Sequence, residues 1–355
     1  MLVYATQYHS RKGSVLMRKF FACFVFTLLV TMLANVGVAD ARTYKFYAIY
    51  PEESFITQGL IDAAKEIKTK TNGKISIKVF PNSQLGTYED AVEEVRQGTI
   101  DFAITYLTKR FDKRLELVNL PGLAPLGYYQ QEAIWYADNS PFKTEVEKVL
   151  TEIDLVSLGP WPEPYATLFF AKGKRPEKLT GYDNKKRNIR APGQELYREP
   201  YAALGYQMVT MDYSEIFNAM QTGQIDGTTG LILEHAVLQG KDIVYHIEYT
   251  KINCNPGWLL ANKELWNSFS NDEKKIISET IDKYSKKILK EVESVDKEHA
   301  KILRERGVEV IEHPDKFNVE RAAYLRKNVW PKHKEEFGAD LLKKLNDYVE
   351  TTMKK

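Results

Sequence analysis

Arg190 closes the short run Asn188-Ile189-Arg190, directly before Ala191-Pro192-Gly193. A guanidinium stays charged at any physiological pH, and its planar fork holds a carboxylate through two parallel hydrogen bonds. At 4 Å and an effective dielectric near 20 the attraction is about 4 kcal/mol before desolvation is subtracted. Binding by such a group orients an anion without any proton transfer. The ordinary alternative for an arginine is a surface or interdomain ion pair. Aromatic residues stand where the chain turns. Trp161 lies in Gly159-Pro160-Trp161-Pro162-Glu163-Pro164, Tyr213 precedes Ser214-Glu215, and Trp258 follows Pro256-Gly257. Large flat side chains beside a carboxylate clamp suit an aromatic or aliphatic monocarboxylate. Each taken singly fits core packing equally well. Tyr50, Tyr106 and Thr229, at strand ends, are further candidates, and Glu215 is placed either to orient Arg190 or to cap its own helix.

Other chemistry is absent from the pattern. The chain has no Gly-x-Ser-x-Gly, His-Glu-x-x-His or Gly-x-Gly-x-x-Gly run, and its six histidines have no metal-ligand spacing. No cofactor and no metal are expected. Lys and Arg number 50 against 48 Asp and Glu, so the electropositive field that nucleic acid requires is missing. Two cysteines cannot build a disulfide framework.

The N-terminus reads as an address. Met17-Arg18-Lys19 is followed by the apolar run Phe20 to Val38 and by the small-x-small site Ala39-Asp40-Ala41. Cleavage is expected after Ala41, an uncleaved anchor being the alternative. Cys23 begins the apolar run instead of following it, which argues against a lipid anchor. Met1 to Val15 reads as an extension upstream of a start at Met17. Cleavage removes four basic residues and one acidic, leaving 46 and 47 and a net charge of −1.

Beyond residue 41 the pattern is α/β. A strand at Lys45 to Ile49 precedes a helix over Ser54 to Thr71 with Ile56, Leu60, Ala63, Ala64 and Ile67 on one face. Ile75, Ile77 and Val79 alternate as a strand, Tyr88 to Gln97 is helical before Gly98, and Ile100 to Ile104 is a strand. The rhythm returns at Asn188-Ile189-Arg190, Leu196 to Leu204, Met208-Val209, Tyr213 to Gln221 and Ile225-Asp226-Gly227. Two such units predict two lobes, each with a mostly parallel sheet. Ser270 and Glu273 have capping-box spacing and open a helix over about 271–306. At about 1.5 Å per residue it is roughly 54 Å long, enough to lie along both lobes.

The order and spacing of three blocks resemble the substrate-binding proteins of tripartite ATP-independent periplasmic (TRAP) transporters, the family 7 extracellular solute-binding proteins. These are Thr71-Asn72-Gly73-Lys74 through Val79-Phe80-Pro81-Asn82-Ser83-Gln84-Leu85-Gly86 to Gly98-Thr99-Ile100-Asp101, then Asn188 to Gly193, then Ser214-Glu215-Ile216 through Ala219-Met220-Gln221-Thr222-Gly223-Gln224-Ile225-Asp226-Gly227. The resemblance implies a two-lobed, hinged periplasmic binding protein fold with a long helix spanning both domains. It implies that Arg190 binds a small organic acid in the interdomain cleft, and that a membrane permease is the partner. Domain I is expected over 42–160 and about 256–295, and domain II over 161–255 and about 296–355. The chain departs from the pattern at Tyr165-Ala166-Thr167, which lacks a second arginine, and at Thr228-Thr229-Gly230, which lacks an asparagine. A single carboxylate on Arg190 is therefore expected, not a several-point clamp. A periplasmic enzyme acting on a small acid, and a ligand-presenting partner of a sensor kinase, are the alternatives.

Overall fold

The structure, a computed structural model, describes residues 42–354. The leader, the extension before Met17 and the junction after Ala41 lie outside the described residues. Among the described residues no helix is long and apolar enough to cross a membrane.

The strands are β1 (Thr43–Tyr47), β2 (Ser76–Phe80), β3 (Phe102–Thr105), β4 (Leu155–Trp161), β5 (Thr167–Ala171) and β6 (Asn188–Ala191). After them come β7 (Gln207–Thr210), β8 (Gly227–Leu231), β9 (Val244–Tyr249), β10 (Gly257–Asn262) and β11 (Glu309–Glu312). They form two sheets, ordered β2-β1-β3-β10-β4 and β11-β9-β5-β8-β6-β7. Each contains one parallel unit of the same winding. In the first, β1 pairs in parallel with β2 and β3; in the second, β6 pairs in parallel with β7 and β8. The second sheet adds a parallel edge pair, β9 with β11, but the central pairings depart from the expected parallel character. β10 runs antiparallel to β3 and β4, and β5 antiparallel to β8 and β9. β5 and β10 enter their sheets straight from the other lobe, after β4 and β9, with no helical crossover to impose a parallel direction.

Local signals explain the helices. In helix Phe55–Lys70 the Ser54 hydroxyl accepts from the Ile56 amide, and Ile56, Leu60, Ala63, Ala64 and Ile67 are buried. A Cβ on Gly59 would lie 2.5 Å from Ile288 Cδ1 and 3.1 Å from Trp161 Cζ2, so only glycine lets this helix press so closely. In helix Asn271–Glu305 the Ser270 hydroxyl accepts from the Glu273 amide at 3.3 Å, while the Glu273 carboxylate accepts from the Ser270 amide at 2.9 Å. The helix buries Ile277, Ile281 and Ile288 in one apolar cluster, and Ala300 and Leu303 in the cluster under the second sheet. It therefore spans both lobes.

The C-terminal segment does not stay with one lobe. β11 extends the second sheet, but helix Ala339–Thr352 buries Leu342, Leu345 and Val349 against the first. Tyr348 there donates to the Ala133 carbonyl at 3.0 Å, and Trp330 donates to that of Pro121 at 3.1 Å. The expected placement of 296–355 in domain II is corrected at this point: the last helix needs an apolar partner and finds it on helix Pro141–Glu152 of the first lobe.

Two carboxylates fasten the lobes reciprocally. Glu234, from helix Leu233–Leu238 of the second lobe, accepts from Ser54 Oγ at 2.5 Å and from the Phe55 amide at 3.1 Å, at the start of a first-lobe helix. Glu116, from the first-lobe 3-10 turn Lys113–Asn119, accepts from the Leu196 amide at 3.1 Å, at the start of the second-lobe helix Glu195–Ala203. Each satisfies amides that a helix leaves unpaired at its N-terminus. Glu234→Ala is expected to lower unfolding stability by about 1.5–3 kcal/mol, the range for hydrogen bonds to a charged group. Urea denaturation beside the exposed control Glu279→Ala measures it; equal effects would show that the clasp contributes nothing.

Candidate functional site

The parallel units place their strand ends toward each other, and ligands of open α/β sheets gather at such carboxyl ends, where strand order reverses. A small cavity lies there, about 50 Å³. Ile49, after β1, and Tyr106, after β3, line it from the first lobe. Arg190 on β6, Pro192 beyond it and Gly230 on β8 line it from the second.

Arg190 is 3% exposed. Its Nε donates to the Met211 carbonyl at 2.8 Å, and its Nη1 reaches the Thr229 carbonyl at 3.5 Å. These contacts engage Nε and Nη1, and among the described residues Nη2 makes no hydrogen bond. Burial lowers its pKa to about 10, opposed by the nearby tyrosines Tyr88 and Tyr197 and then by exposed Asp212 and by Tyr213. It remains a cation at neutral pH. Among the described residues no carboxylate forms an ion pair with it. A buried charge without a partner is unfavourable, so an anion entering the cavity removes a penalty as well as adding an attraction.

The expected residues divide into three groups. Arg190, Tyr106 and Tyr213 line the one cavity. Tyr50 and Thr229 stand just behind it. The Tyr50 hydroxyl contacts that of Tyr106, and both donate to Glu163 Oε2, at 2.6 and 2.9 Å. Thr229 supplies its carbonyl to Arg190 and is otherwise buried. Trp161, Trp258 and Glu215 are elsewhere. The Trp161 ring packs toward Gly59 and Ile288 under the long helix. Trp258 donates to Ser157 Oγ at 2.9 Å and meets Trp135 edge to face; both tryptophans are core residues, because β4 and β10 turn these side chains away from the strand ends. Glu215 is exposed and makes no cap on the helix that follows it. It does not reach Arg190, whose orientation comes from backbone carbonyls.

The cavity also holds residues that sequence reasoning passed over. Tyr88 and Tyr197 add aromatic wall, and Asn119, Gln194 and Asn255 add amides. Gln194 was within reach, since it directly follows Arg190-Ala191-Pro192-Gly193 at a helix start. Asn119 carried no local signal. Among the described residues no cluster of His, Cys, Asp and Glu could hold a metal ion.

Glu163 lies on the first crossing between lobes. Burial raises its pKa to about 7 against the opposing pull of the Tyr50 and Tyr106 hydrogen bonds. Gly257 leaves room for its other oxygen: a Cβ there would come within 2.6 Å of Oε1. At the far side of the lobe junction, Asp296 of the long helix accepts from Tyr128 Oη at 2.6 Å, and burial raises it too to about 7. Both acids hold a proton in the folded chain at pH values where the unfolded chain has lost it. Their stabilising contribution is complete below about pH 4 and disappears as pH rises to about 7. Glu163→Gln is therefore expected to flatten the rise in melting temperature between pH 7.5 and pH 5; parallel wild-type and variant curves would refute this assignment.

Comparison with known proteins follows the same lines. Residues 46–336 match the family described as bacterial extracellular solute-binding protein, family 7. A solute-binding protein of Chromohalobacter salexigens is 24% identical over 305 residues, 84% of this chain and 88% of its own. A TRAP periplasmic solute binding protein from Desulfovibrio salexigens, solved with bound orotic acid, superposes with a TM-score of 0.77 at 19% identity, covering 87% of this chain and 99% of that one. One from Citrobacter koseri with bound D-glucuronate gives 0.71 at 22% identity, covering 86% and 99%. These likenesses establish a two-lobed fold, and with a match across most of its length this chain belongs to the bacterial extracellular solute-binding proteins of family 7.

Proposed function

We propose that this protein captures a small organic acid between its lobes, holds the carboxylate on Arg190, and delivers it unaltered to the membrane permease of a TRAP transporter in the periplasm. The observation that carries the reading is Arg190 itself, a buried cation without an ionic partner at the edge of a cavity. Its guanidinium matches the two oxygens of a carboxylate, and the remaining wall is largely aromatic and aliphatic, as a monocarboxylate requires. The bound orotic acid and D-glucuronate of the solved relatives support an acid as the class of solute. Glu163 is engaged by the Tyr50 and Tyr106 hydroxyls behind the wall.

Calorimetry with a panel of small carboxylic acids tests the reading. Truncating one partner of a buried charge pair removes about 2–5 kcal/mol, so Arg190→Ala is expected to weaken the best acid at least 30-fold. Arg190→Lys is expected to fall between, keeping charge and losing the fork. Wild-type affinity in Arg190→Ala, or a product accumulating from the bound acid, would overturn the proposal.

A further inference from the structure

Two buried amides in the cavity each leave one polar atom unpaired among the described residues. Asn119 is 1% exposed and Gln194 6%; both line the cavity, and Asn119 Nδ2 and Gln194 Oε1 find no hydrogen-bond partner. Leaving such groups desolvated and unpaired is unfavourable.

Their positions have a common origin. Gln194 occupies the N-cap of helix Glu195–Ala203, yet its side chain makes no capping bond. That task falls to Glu116, which reaches across from the first lobe to the Leu196 amide. Gln194 is thereby free to turn into the cavity. Asn119 lies three residues after Glu116 in the same 3-10 turn, and side chains three apart in such a turn project from the same side. One turn of the first lobe therefore both seals the second-lobe helix and brings an amide to the cavity that Gln194 lines. The two amides come from opposite lobes.

The charges around the cavity limit what they can read. Arg190 is the one charged residue in its lining. Acidic side chains stand behind the wall, among them Glu116 at the helix start and Glu89, which accepts from Tyr88 Oη at 3.2 Å. A second anionic group on the solute would meet these without a cation of its own.

Resting on the assignment of the solute carboxylate to Arg190, we propose that Asn119 and Gln194 are the specificity-determining residues, reading from opposite lobes a neutral group that both accepts and donates hydrogen bonds, such as a carboxamide or lactam. The solute is then a compact monoanion, polar but uncharged at its far end.

Four acids of equal carbon count separate the cases: butanoate, succinamate, succinate and 4-aminobutanoate, titrated into wild type, Asn119→Leu, Gln194→Met and Arg190→Ala. Succinamate is expected to bind at least 10-fold more tightly than butanoate. Each amide variant should shrink that ratio at least 3-fold. The two variants lie on different lobes, so misfolding of one, seen as loss of its cooperative melt, leaves the other informative. Equal affinity for succinamate and butanoate, or a ratio unmoved by either variant, overturns the proposal and leaves the Arg190 assignment intact. Tighter succinate or 4-aminobutanoate also overturns it, in favour of a charged far end. If Arg190→Ala binds the preferred acid as wild type does, or if none of the four binds, the assignment beneath it fails as well.

Discussion

A guanidinium removed from water and given no carboxylate is the constraint around which this molecule is arranged. The protein supplies two backbone carbonyls to fix its plane and surrounds it with tyrosines, whose hydroxyls offer dipoles but no neutralising charge. The resulting imbalance is local and directional. On the proposed assignment, an acid entering with its carboxylate toward β6 corrects it.

The same economy explains how the lobes meet. Glu116 and Glu234 each end on the N-terminal amides of a helix belonging to the other lobe. Neither uses a lysine or arginine as partner, so the cation at the centre is not in competition with others nearby. The tyrosine pair on Glu163 performs a related service. Two hydroxyls and a carboxylate close a polar network behind Tyr106, which fixes that ring as cavity wall.

What was legible in the sequence followed the range of the interaction. Helix Phe55–Lys70, helix Tyr88–Gln97 and the capping box at Ser270 are set by neighbours within four residues, and their bounds agree with the periodicity. Arg190 was legible because its run also resembles a known family. Trp161 and Trp258 misled for a physical reason: proline and glycine beside them mark the lobe crossings, but the direction of a strand side chain depends on register with partners about a hundred residues away. The antiparallel entry of β5 and β10 has the same non-local cause. Asn119 was invisible because what places it, the reach of Glu116 to Leu196, joins residues 80 apart in the chain.

The 35-residue helix carries one further consequence. A stiff rod packed into the apolar clusters of both halves suppresses sliding and twisting between them and leaves chiefly a swing. With few motions available beforehand, few are frozen when a guest is enclosed. Ordering entropy is among the larger losses in any association, so a molecule braced in this way retains more of its central attraction as net affinity.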